Sequence, residues 1–357
     1  MKQDKLGFGI IGCGVISTAH LGAIANCPEA ELAAVCDIDE EKGRKCAADH
    51  GNVTFYKNYL EMVKDPAVDV VCICTPSGLH ADGVIAAAQA GKNVFCEKPL
   101  DISHERMCRM IEAVDKAKVK MGCVFQGRTE KNSITARQAI IDGQLGKMTL
   151  GDAFMKYYRS RAYYASAGWR GTWALDGGGA LMNQGVHGID LLMWVMNSPV
   201  ERVFARMDHL VRDIEVEDTC TASLLFKNGA LGTIIGTTSC NPGEPRRLEL
   251  HGDRGTICIS ESKITRQATT TEPDGLAKDL EEKSTTDSSA KQEGISNNPA
   301  NFGLYGHAFL VDDLVHAIKE NREPYITGRS ARRAVDLILA IYESARSGKD
   351  VQVKYGD

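Results

Sequence analysis

The chain has 357 residues, of which 43% are hydrophobic and 25% are charged, so it is long enough for two globular domains with separate cores. Its formal net charge of −5 gives no basic footprint for nucleic acid, and no apolar run approaches the roughly 20 residues of a membrane-spanning helix. The twelve cysteines are scattered without a C-x-x-C pair, and the N-terminal residues lack the apolar core of a signal peptide. We therefore expect a cytoplasmic protein with reduced thiols and no metal site.

The first predicted elements enclose a phosphate-binding turn. An apolar run over residues 6–11 predicts a buried strand, and residues 17–26 predict a helix. The turn between them has the pattern G-x-G-x-x-S, whose glycines let the backbone approach a pyrophosphate at the helix N-terminus. The residues expected to bind a dinucleotide here are Gly12, Gly14, Val15 and Ile16.

The second predicted strand, residues 32–36, ends at Asp37. This acid follows the glycine turn at about the 20-residue spacing that is typical of dinucleotide-binding domains. A carboxylate there accepts hydrogen bonds from ribose hydroxyls and repels a 2′-phosphate, and no arginine follows directly. The pattern predicts NAD rather than NADP. The alternative is a surface aspartate that caps the next helix.

A third strand, residues 68–74, is entirely apolar, as in a parallel sheet covered on both faces. Ligands of such sheets bind beyond the carboxyl ends of the strands. Thr75 and Pro76 are therefore expected to line the cofactor crevice. His80 is a further candidate for this wall, although we favour a structural role for it in the first turn of the next helix.

The next strand, residues 93–96, ends in Glu97-Lys98-Pro99. The strand end directs Lys98 to the crevice, where a lysine can hydrogen-bond a hydroxyl and where partial burial lowers its pKa. Glu97 and Lys98 are counted among the cofactor-binding residues. We also expect a cis Lys98–Pro99 bond, which X-Pro sequences adopt at modest cost.

The pattern changes after residue 125, and we divide the chain into a nucleotide-binding domain, residues 1–125, and a substrate and oligomerisation domain, residues 126–357. In the second domain, consecutive strands with short turns predict a mostly antiparallel sheet. The polar residues 265–301 predict a long loop, and two C-terminal amphipathic helices are expected to pack back on the domains. The predicted strands are residues 148–158, 203–209, 219–226, 230–238, 246–251 and 256–260.

The stretch from Gly177 to Asp190 predicts a site helix introduced by three glycines. Asn183 and His187 are four residues apart and share a helix face, with Asp190 near the same stripe. The alternative is a helix N-terminus with a solvated polar side.

A polar and aromatic stretch precedes this helix. Arg170 and Tyr163 are candidates for binding an anion and a ring together, and Arg159 is a weaker one. The alternative is a surface loop that its aromatic residues anchor to the sheet.

These motifs together resemble the Gfo/Idh/MocA family: the G-x-G-x-x-S turn, Asp37, TPSGLH, AGKNVFCEKP and GGGALMNQGVHGIDLL. The resemblance implies an α/β Rossmann domain followed by an α+β domain, an open, mostly antiparallel sheet covered on one face by helices. It also implies nicotinamide-dependent oxidation or reduction of sugars and polyols, and a homo-oligomer, dimer or tetramer, formed through the open sheet. The family's catalytic lysine and histidine fall on Lys98 and His187.

Asn183 departs from the family pattern, because many members have aspartate there. Together with residues 163–173, this departure resembles the UDP-N-acetylglucosaminuronate 3-dehydrogenases of the same family. We therefore expect NAD-dependent oxidation of a ring alcohol, most closely at C3 of a UDP-N-acetyl-hexosaminuronate. His187 is the expected base, Lys98 stabilises the alkoxide, and Asn183, Arg170, Tyr163 and Asp190 bind substrate.

Three alternatives stay open. The first is an inositol, polyol or simple-sugar dehydrogenase. The second is a lyase-like or glycosidase-like enzyme that recycles bound NAD within each turnover. The third is a non-catalytic nucleotide sensor.

Overall fold

The computed structural model describes residues 5–272, 274–280 and 305–356. Its first half is a six-stranded parallel sheet with the strand order β3-β2-β1-β4-β5-β6. The strands are β1 Leu6–Ile11, β2 Ala30–Cys36, β3 Thr54–Tyr56, β4 Val70–Ile73, β5 Asn93–Cys96 and β6 Met121–Cys123. The helices are α1 Ser17–Asn26, α2 Glu40–Asp49, α3 Tyr59–Met62, α4 His80–Gln89 and α5 His104–Ala117.

The order of this sheet places the cofactor crevice. The apolar strand β4 is fully buried, as expected for a sheet covered on both faces. The chain runs outward from β1 through β2 to β3 and then returns to the other side of β1 with β4. Such a switch point opens a crevice beyond the carboxyl ends of the strands. The turn after β1 and the loops after β4 and β5 therefore meet at one edge.

The second half is a nine-stranded sheet with the order β14-β13-β12-β11-β7-β10-β9-β8-β15. It is antiparallel except for the parallel pair β7 and β10. The strands are β7 Met148–Lys156, β8 Val200–Asp208, β9 Thr219–Phe226, β10 Leu231–Thr237, β11 Arg247–Gly252, β12 Gly255–Ser260, β13 Lys263–Thr269, β14 Lys278–Asp279 and β15 Val351–Gln352.

The remaining helices are α6 Lys131–Ile141, α7 Arg161–Ala165, α8 Val186–Met196, α9 Tyr305–Lys319 and α10 Gly328–Ser347. Of these, α6, α8 and α10 pack against the second sheet, whereas α9 packs against the first. Helix α8 packs on β7 and α10 packs on β8, while α9 contacts α1 and α10 also contacts α5. The opposite face keeps exposed apolar side chains at Leu150, Phe204 and Leu231. The predicted fold class, a Rossmann sheet followed by an open, mostly antiparallel sheet with helices on one face, is confirmed.

One predicted loop is partly wrong. The polar stretch 265–301 overlaps β13, which pairs with β12, and β14, which pairs with β13. Its polar composition reflects a position near the edge of the sheet, where most side chains of β13 stay at least partly exposed. Residues 273 and 281–301 of the predicted loop lie outside the described residues. None of the helices in the described part of the chain has the length and apolarity needed to cross a bilayer.

Candidate active site

The turn after β1 has the geometry of a phosphate cradle. Gly12 adopts a φ of +94°, and a Cβ at this position would lie 2.7 Å from the carbonyl oxygen of Cys74, so only glycine fits. A Cβ on Gly14, in contrast, would meet nothing within 4 Å. Val15 is 63% exposed, and Ile16 leads into α1, whose N-terminus has no side-chain cap. The open space and the uncapped helix end fit the pyrophosphate of a dinucleotide.

Asp37 lies beside this turn, at the end of β2. Its carboxylate accepts hydrogen bonds from the backbone N–H of Cys13 at 2.8 Å and of Asp39 at 2.9 Å. The cap of α2 is Asp39, which accepts from the N–H of Lys42. The alternative that Asp37 caps the next helix is therefore wrong. A half-buried carboxylate at this position suits two ribose hydroxyls.

The loop after β4 forms the second wall of the crevice. The hydroxyl of Thr75 is buried and has no hydrogen-bond partner within the described part of the chain. The ring nitrogens of His80 lie 2.8 Å from the carbonyl oxygen of Pro99 and 3.0 Å from that of Thr75. His80 is buried, so it ties the Thr75–Pro76 loop to the turn after β5 and has the structural role that we favoured. The Thr75 hydroxyl is therefore the group of this wall that could hydrogen-bond a cofactor.

Glu97 is directed to protein groups rather than to the crevice. Its Oε1 accepts from Nε2 of His20 at 2.9 Å and of His307 at 3.1 Å, and its Oε2 accepts from the N–H of Lys98 at 3.1 Å. Burial would raise the pKa of Glu97, but the two histidine hydrogen bonds outweigh it and hold that pKa well below its usual range. The expectation that Glu97 binds cofactor directly is therefore not supported. Glu97 is instead a fixed negative charge next to Lys98 in the chain.

Lys98 reaches the site helix from the turn after β5. Its Nζ donates to the backbone carbonyl of Asn183 at 3.1 Å, and the Lys98–Pro99 bond is cis. Burial lowers the pKa of Lys98, and the positive charges of Arg170 and Arg159 act in the same direction. The nearby carboxylates of Glu97 and Asp176 oppose this shift.

The site helix begins with a π-helical turn, Ala180–Gly185, before α8 continues from Val186. The prediction of a regular helix is thus wrong for its first turn; π-turns are rare and are frequent at functional sites. The backbone of this turn is anchored by Glu217. Its carboxylate accepts from the N–H groups of Gly179 and Leu181, at 2.9 and 2.8 Å, and from the hydroxyl of Tyr342 at 2.7 Å.

His187 follows the π-turn and is half-buried. Its ring lies edge-on to Phe125, with 5.8 Å between the ring centroids. Burial lowers the pKa of His187 well below 6.5, and the positive charges of Lys98 and Arg246 add to the effect. The imidazole is therefore neutral at pH 7 and can accept a proton.

Asp176 is an acid of the site that the sequence motifs did not single out. It is 1% exposed, and its carboxylate accepts from the N–H of Gly171 at 2.8 Å and from Nδ2 of Asn183 at 2.5 Å. Burial raises the pKa of Asp176 to about 6, against these hydrogen bonds and the charges of Arg170 and Lys98. The available signal was its position immediately before the glycine triplet, in Leu-Asp-Gly-Gly-Gly.

Arg170 and Tyr163, the two candidates for binding an anion and a ring, contact each other. Nη1 of Arg170 donates to the hydroxyl of Tyr163 at 2.6 Å. The guanidinium lies between two aromatic rings, 4.3 Å from the centroid of Tyr163 and 4.6 Å from that of Trp169. These contacts hold a half-buried cation in a defined orientation.

Gln184 joins this pair to the site helix. Its Nε2 donates to the hydroxyl of Tyr163 at 2.7 Å and to Oδ1 of Asn183 at 3.0 Å. Its Oε1 accepts from Nε of the buried Arg159 at 2.8 Å. Arg159 was predicted as a weaker candidate than Arg170, but both cations belong to the same hydrogen-bonded network.

Asp190 is not placed to bind substrate. It is 2% exposed, and both of its carboxylate oxygens are bound by the guanidinium of Arg128. Arg128 also donates to the hydroxyl of Ser330 on α10. The expectation that Asp190 contacts substrate is corrected to a buried ion pair that fixes α8 against its neighbours, because such a guanidinium needs an anionic partner.

Comparison with known proteins places this arrangement in a family. Residues 6–125 match the oxidoreductase family with an NAD-binding Rossmann fold, and residues 133–258 match the GFO/IDH/MocA C-terminal domain. Myo-inositol 2-dehydrogenase of Thermotoga maritima is 32% identical over 277 residues, which are 74% of this chain and 78% of the relative. The chain belongs to the Gfo/Idh/MocA family.

Two solved structures are similar over nearly the whole chain. The WlbA dehydrogenase from Bordetella pertussis, in complex with NADH and UDP-GlcNAcA, has a TM-score of 0.86 and 32% identity, with 99% of each chain covered. The WlbA dehydrogenase from Chromobacterium violaceum, with the same ligands, has a TM-score of 0.85 and 30% identity, with 100% of this chain and 98% of that chain covered. As a Gfo/Idh/MocA member, the protein is an NAD-dependent dehydrogenase acting on CH–OH groups of sugars or polyols.

Proposed function

We propose that this protein oxidises a ring secondary alcohol of an acidic nucleotide sugar, most closely a UDP-N-acetyl-hexosaminuronate at C3. The observation that carries the proposal is the position of two cations, Arg170 and Arg159, in one hydrogen-bonded network with Asn183. Lys98 contacts the backbone of the same residue. The similarity to the two WlbA dehydrogenases supports the same substrate class.

His187 and Lys98 divide the proton chemistry between them. His187 is neutral at pH 7, so it takes the proton of the reacting hydroxyl as the carbon–oxygen double bond forms. Lys98, as an ammonium group, donates a hydrogen bond to the developing alkoxide. Bound NAD supplies the hydride acceptor. Ketone reduction would use the same two groups in reverse.

Asn183 and the arginine network orient the substrate. The Asn183 amide both donates and accepts, so it can fix the ring by a hydroxyl next to the reacting carbon. Arg170 presents a guanidinium held by Tyr163, and such a fork pairs with a carboxylate or phosphate. A polyol without an anionic group would offer this guanidinium no anionic ligand.

Inositol or another polyol is the second candidate substrate. The observation that favours it is the 32% identity to myo-inositol 2-dehydrogenase. Titration of UDP against the NAD-loaded protein separates the two candidates. Saturable UDP binding supports the nucleotide sugar, whereas NADH formation from inositol without UDP binding supports the polyol.

Single-turnover measurements test the reaction itself. With NAD and a substrate panel, we expect NADH to form with the nucleotide sugar, and Lys98→Ala and His187→Ala to slow hydride transfer by about 10²–10⁴-fold. Lys116→Ala and His209→Ala, at exposed positions, are the matched controls and should retain wild-type rates. Unchanged rates in both site variants would contradict the assignment. Product without net NADH would indicate internal recycling, and binding without product would indicate a sensor.

The protein is further proposed to act as a cytoplasmic homo-oligomer, assembled through the open face of the second sheet. Exposed apolar side chains on that face support this proposal.

A further inference from the structure

Asp176 is a buried carboxyl group for which the proton chemistry above has no use. It lies in the loop before the glycine triplet, and one of its oxygens is held by the N–H of Gly171. The other oxygen faces the amide nitrogen of Asn183. A buried acid carries a desolvation cost, so a site that retains one needs a compensating role for it.

The contacts of Asn183 restrict how its amide can be oriented. An ionised carboxylate only accepts hydrogen bonds, so Nδ2 must face Asp176. Oδ1 then faces Nε2 of Gln184, which donates to it at 3.0 Å. An amide oxygen has two lone pairs, and one remains for a further donor. Asn183 is half-buried, so part of the residue stays accessible.

We propose that Asp176 is a positioning residue: by holding the amide nitrogen of Asn183, it fixes Asn183 Oδ1 as the acceptor for a substrate hydroxyl. This inference rests on the proposed sugar-alcohol oxidation. The orientation depends on the charge of Asp176, because a protonated carboxyl would donate its O–H and allow Oδ1 to turn toward it. The substrate side would then meet an N–H donor instead of an acceptor, and the hydrogen bond from Nε2 of Gln184 would be lost as well.

The change between the two orientations of the Asn183 amide can be followed by titrating Asp176 with pH. Lys98, Arg170, Tyr163 and Tyr164 are the charged or titratable groups that interact with Asp176 from neighbouring elements. Burial raises the pKa of Asp176 to about 6 in spite of the two cations. The productive, ionised form therefore predominates above about pH 6 and is lost below it. His187 does not supply this transition, because its pKa lies well below its usual value.

The first experiment follows the Asn183 side-chain amide by ¹H–¹⁵N NMR from pH 4.5 to 9 and needs no substrate. The signal is assigned by its absence in Asn183→Asp. We expect it to shift with a midpoint near pH 6 in the wild-type protein and to stay constant in Asp176→Asn. A chemical shift of the Asn183 amide that does not change with pH in the wild-type protein would overturn the inference, whether or not the enzyme turns over any sugar.

The second experiment compares kcat/KM in wild type, Asp176→Asn and the exchanged pair Asp176→Asn/Asn183→Asp. We expect kcat/KM of the single variant to fall by about 10- to 100-fold at pH 8. We also expect the acidic limb near pH 6, present in the wild type, to be absent from the pH profile of this variant. The exchanged pair places a carboxylate acceptor at 183 and an amide donor at 176, so it should recover at least about tenfold. No recovery, or an unchanged acidic limb in Asp176→Asn, would contradict the role. No turnover in the wild type refutes the proposed function alone, since the NMR result stands apart from it.

Discussion

Lys98 lies under two opposing electrostatic influences, and their balance sets its charge. Burial and two arginines favour the neutral amine, while Glu97 and Asp176 favour the ammonium form. Glu97 is effective because His20 and His307 hold one of its oxygens in place. The buried histidine–glutamate cluster thus provides a permanent counter-ion for the residue that follows it in the chain.

Glu97→Gln is expected to make the enzyme lose activity at a lower alkaline pH than the wild type. Without the negative charge, the pKa of Lys98 falls further, so its ammonium form is lost at lower pH. The alkaline limb of kcat/KM should move down by about one pH unit. A pH–rate profile measures the shift, with Glu112→Gln, at an exposed position of α5, as the control. An alkaline limb at the wild-type pH in Glu97→Gln would show that Glu97 does not govern Lys98.

Single residues were predictable where a motif fixes their place relative to a strand end. Gly12, Asp37 and Lys98 follow three buried strands, and the parallel sheet brings them to one edge. Asp176 and Asp190 were not predictable in this way. The partners of Asp176 are near in sequence, but they are a backbone N–H and a side-chain amide that no motif connects to it. Asp190 pairs with Arg128, which is 62 residues away, and nothing local indicates that the pair is buried.

The site helix depends on an anchor from a different element. Glu217, in the residues just before β9, accepts three backbone N–H groups: two with its carboxylate and that of Ala180 with its carbonyl oxygen. Burial raises the pKa of Glu217. These contacts satisfy the N–H groups that the start of a helix leaves unpaired. Gly179 permits them, since a side chain at this position would meet the backbone of Glu217.

Gly179→Ala is expected to displace the start of the site helix. A Cβ at Gly179 would lie 2.1 Å from the carbonyl oxygen of Glu217, so the backbone must move. We expect a loss of about 2–3 kcal/mol in the free energy of unfolding, measured by urea denaturation. Gly168→Ala is the matched control, because a Cβ there meets nothing within 4 Å. Equal free energies of unfolding in the two variants would mean that the backbone at Gly179 does not pack closely against Glu217.

Elements were predicted well where hydrophobic runs are local and strong. β1, α1, β5 and β9 have the predicted bounds, because each is an apolar segment between clear turn residues. The π-turn was not predicted, since its register follows from the Glu217 contacts rather than from side-chain periodicity. β13 was also missed, because a strand near the sheet edge needs no apolar face.

The two sheets of the molecule differ in how their surfaces are covered. Helices cover both faces of the parallel sheet, whereas within residues 5–272, 274–280 and 305–356 the helices that contact the nine-stranded sheet lie on one of its faces. On its other face, Leu231 lies opposite Leu150 on one neighbouring strand and Leu225 on the other. Ile235 likewise lies opposite Phe154. These apolar pairs lie on either side of the hydrogen-bonded polar pair Thr233 and Asp152, and exposed apolar side chains grouped on one sheet face are typical of an interaction surface.

Leu231→Asp is expected to weaken self-association. The side chain is 58% exposed and lies at the start of β10, so the charge is tolerated in the monomer but would be desolvated in a face-to-face contact. We expect a dissociation constant more than about tenfold higher, measured by sedimentation equilibrium, with an unchanged unfolding midpoint at low protein concentration. Leu60→Asp is the matched control, because the Leu60 side chain is 46% exposed and lies on α3, in the part of the chain that forms the parallel sheet. A wild-type protein that stays monomeric at high concentration would contradict assembly altogether. Equal association of the two variants would place the interface on another surface.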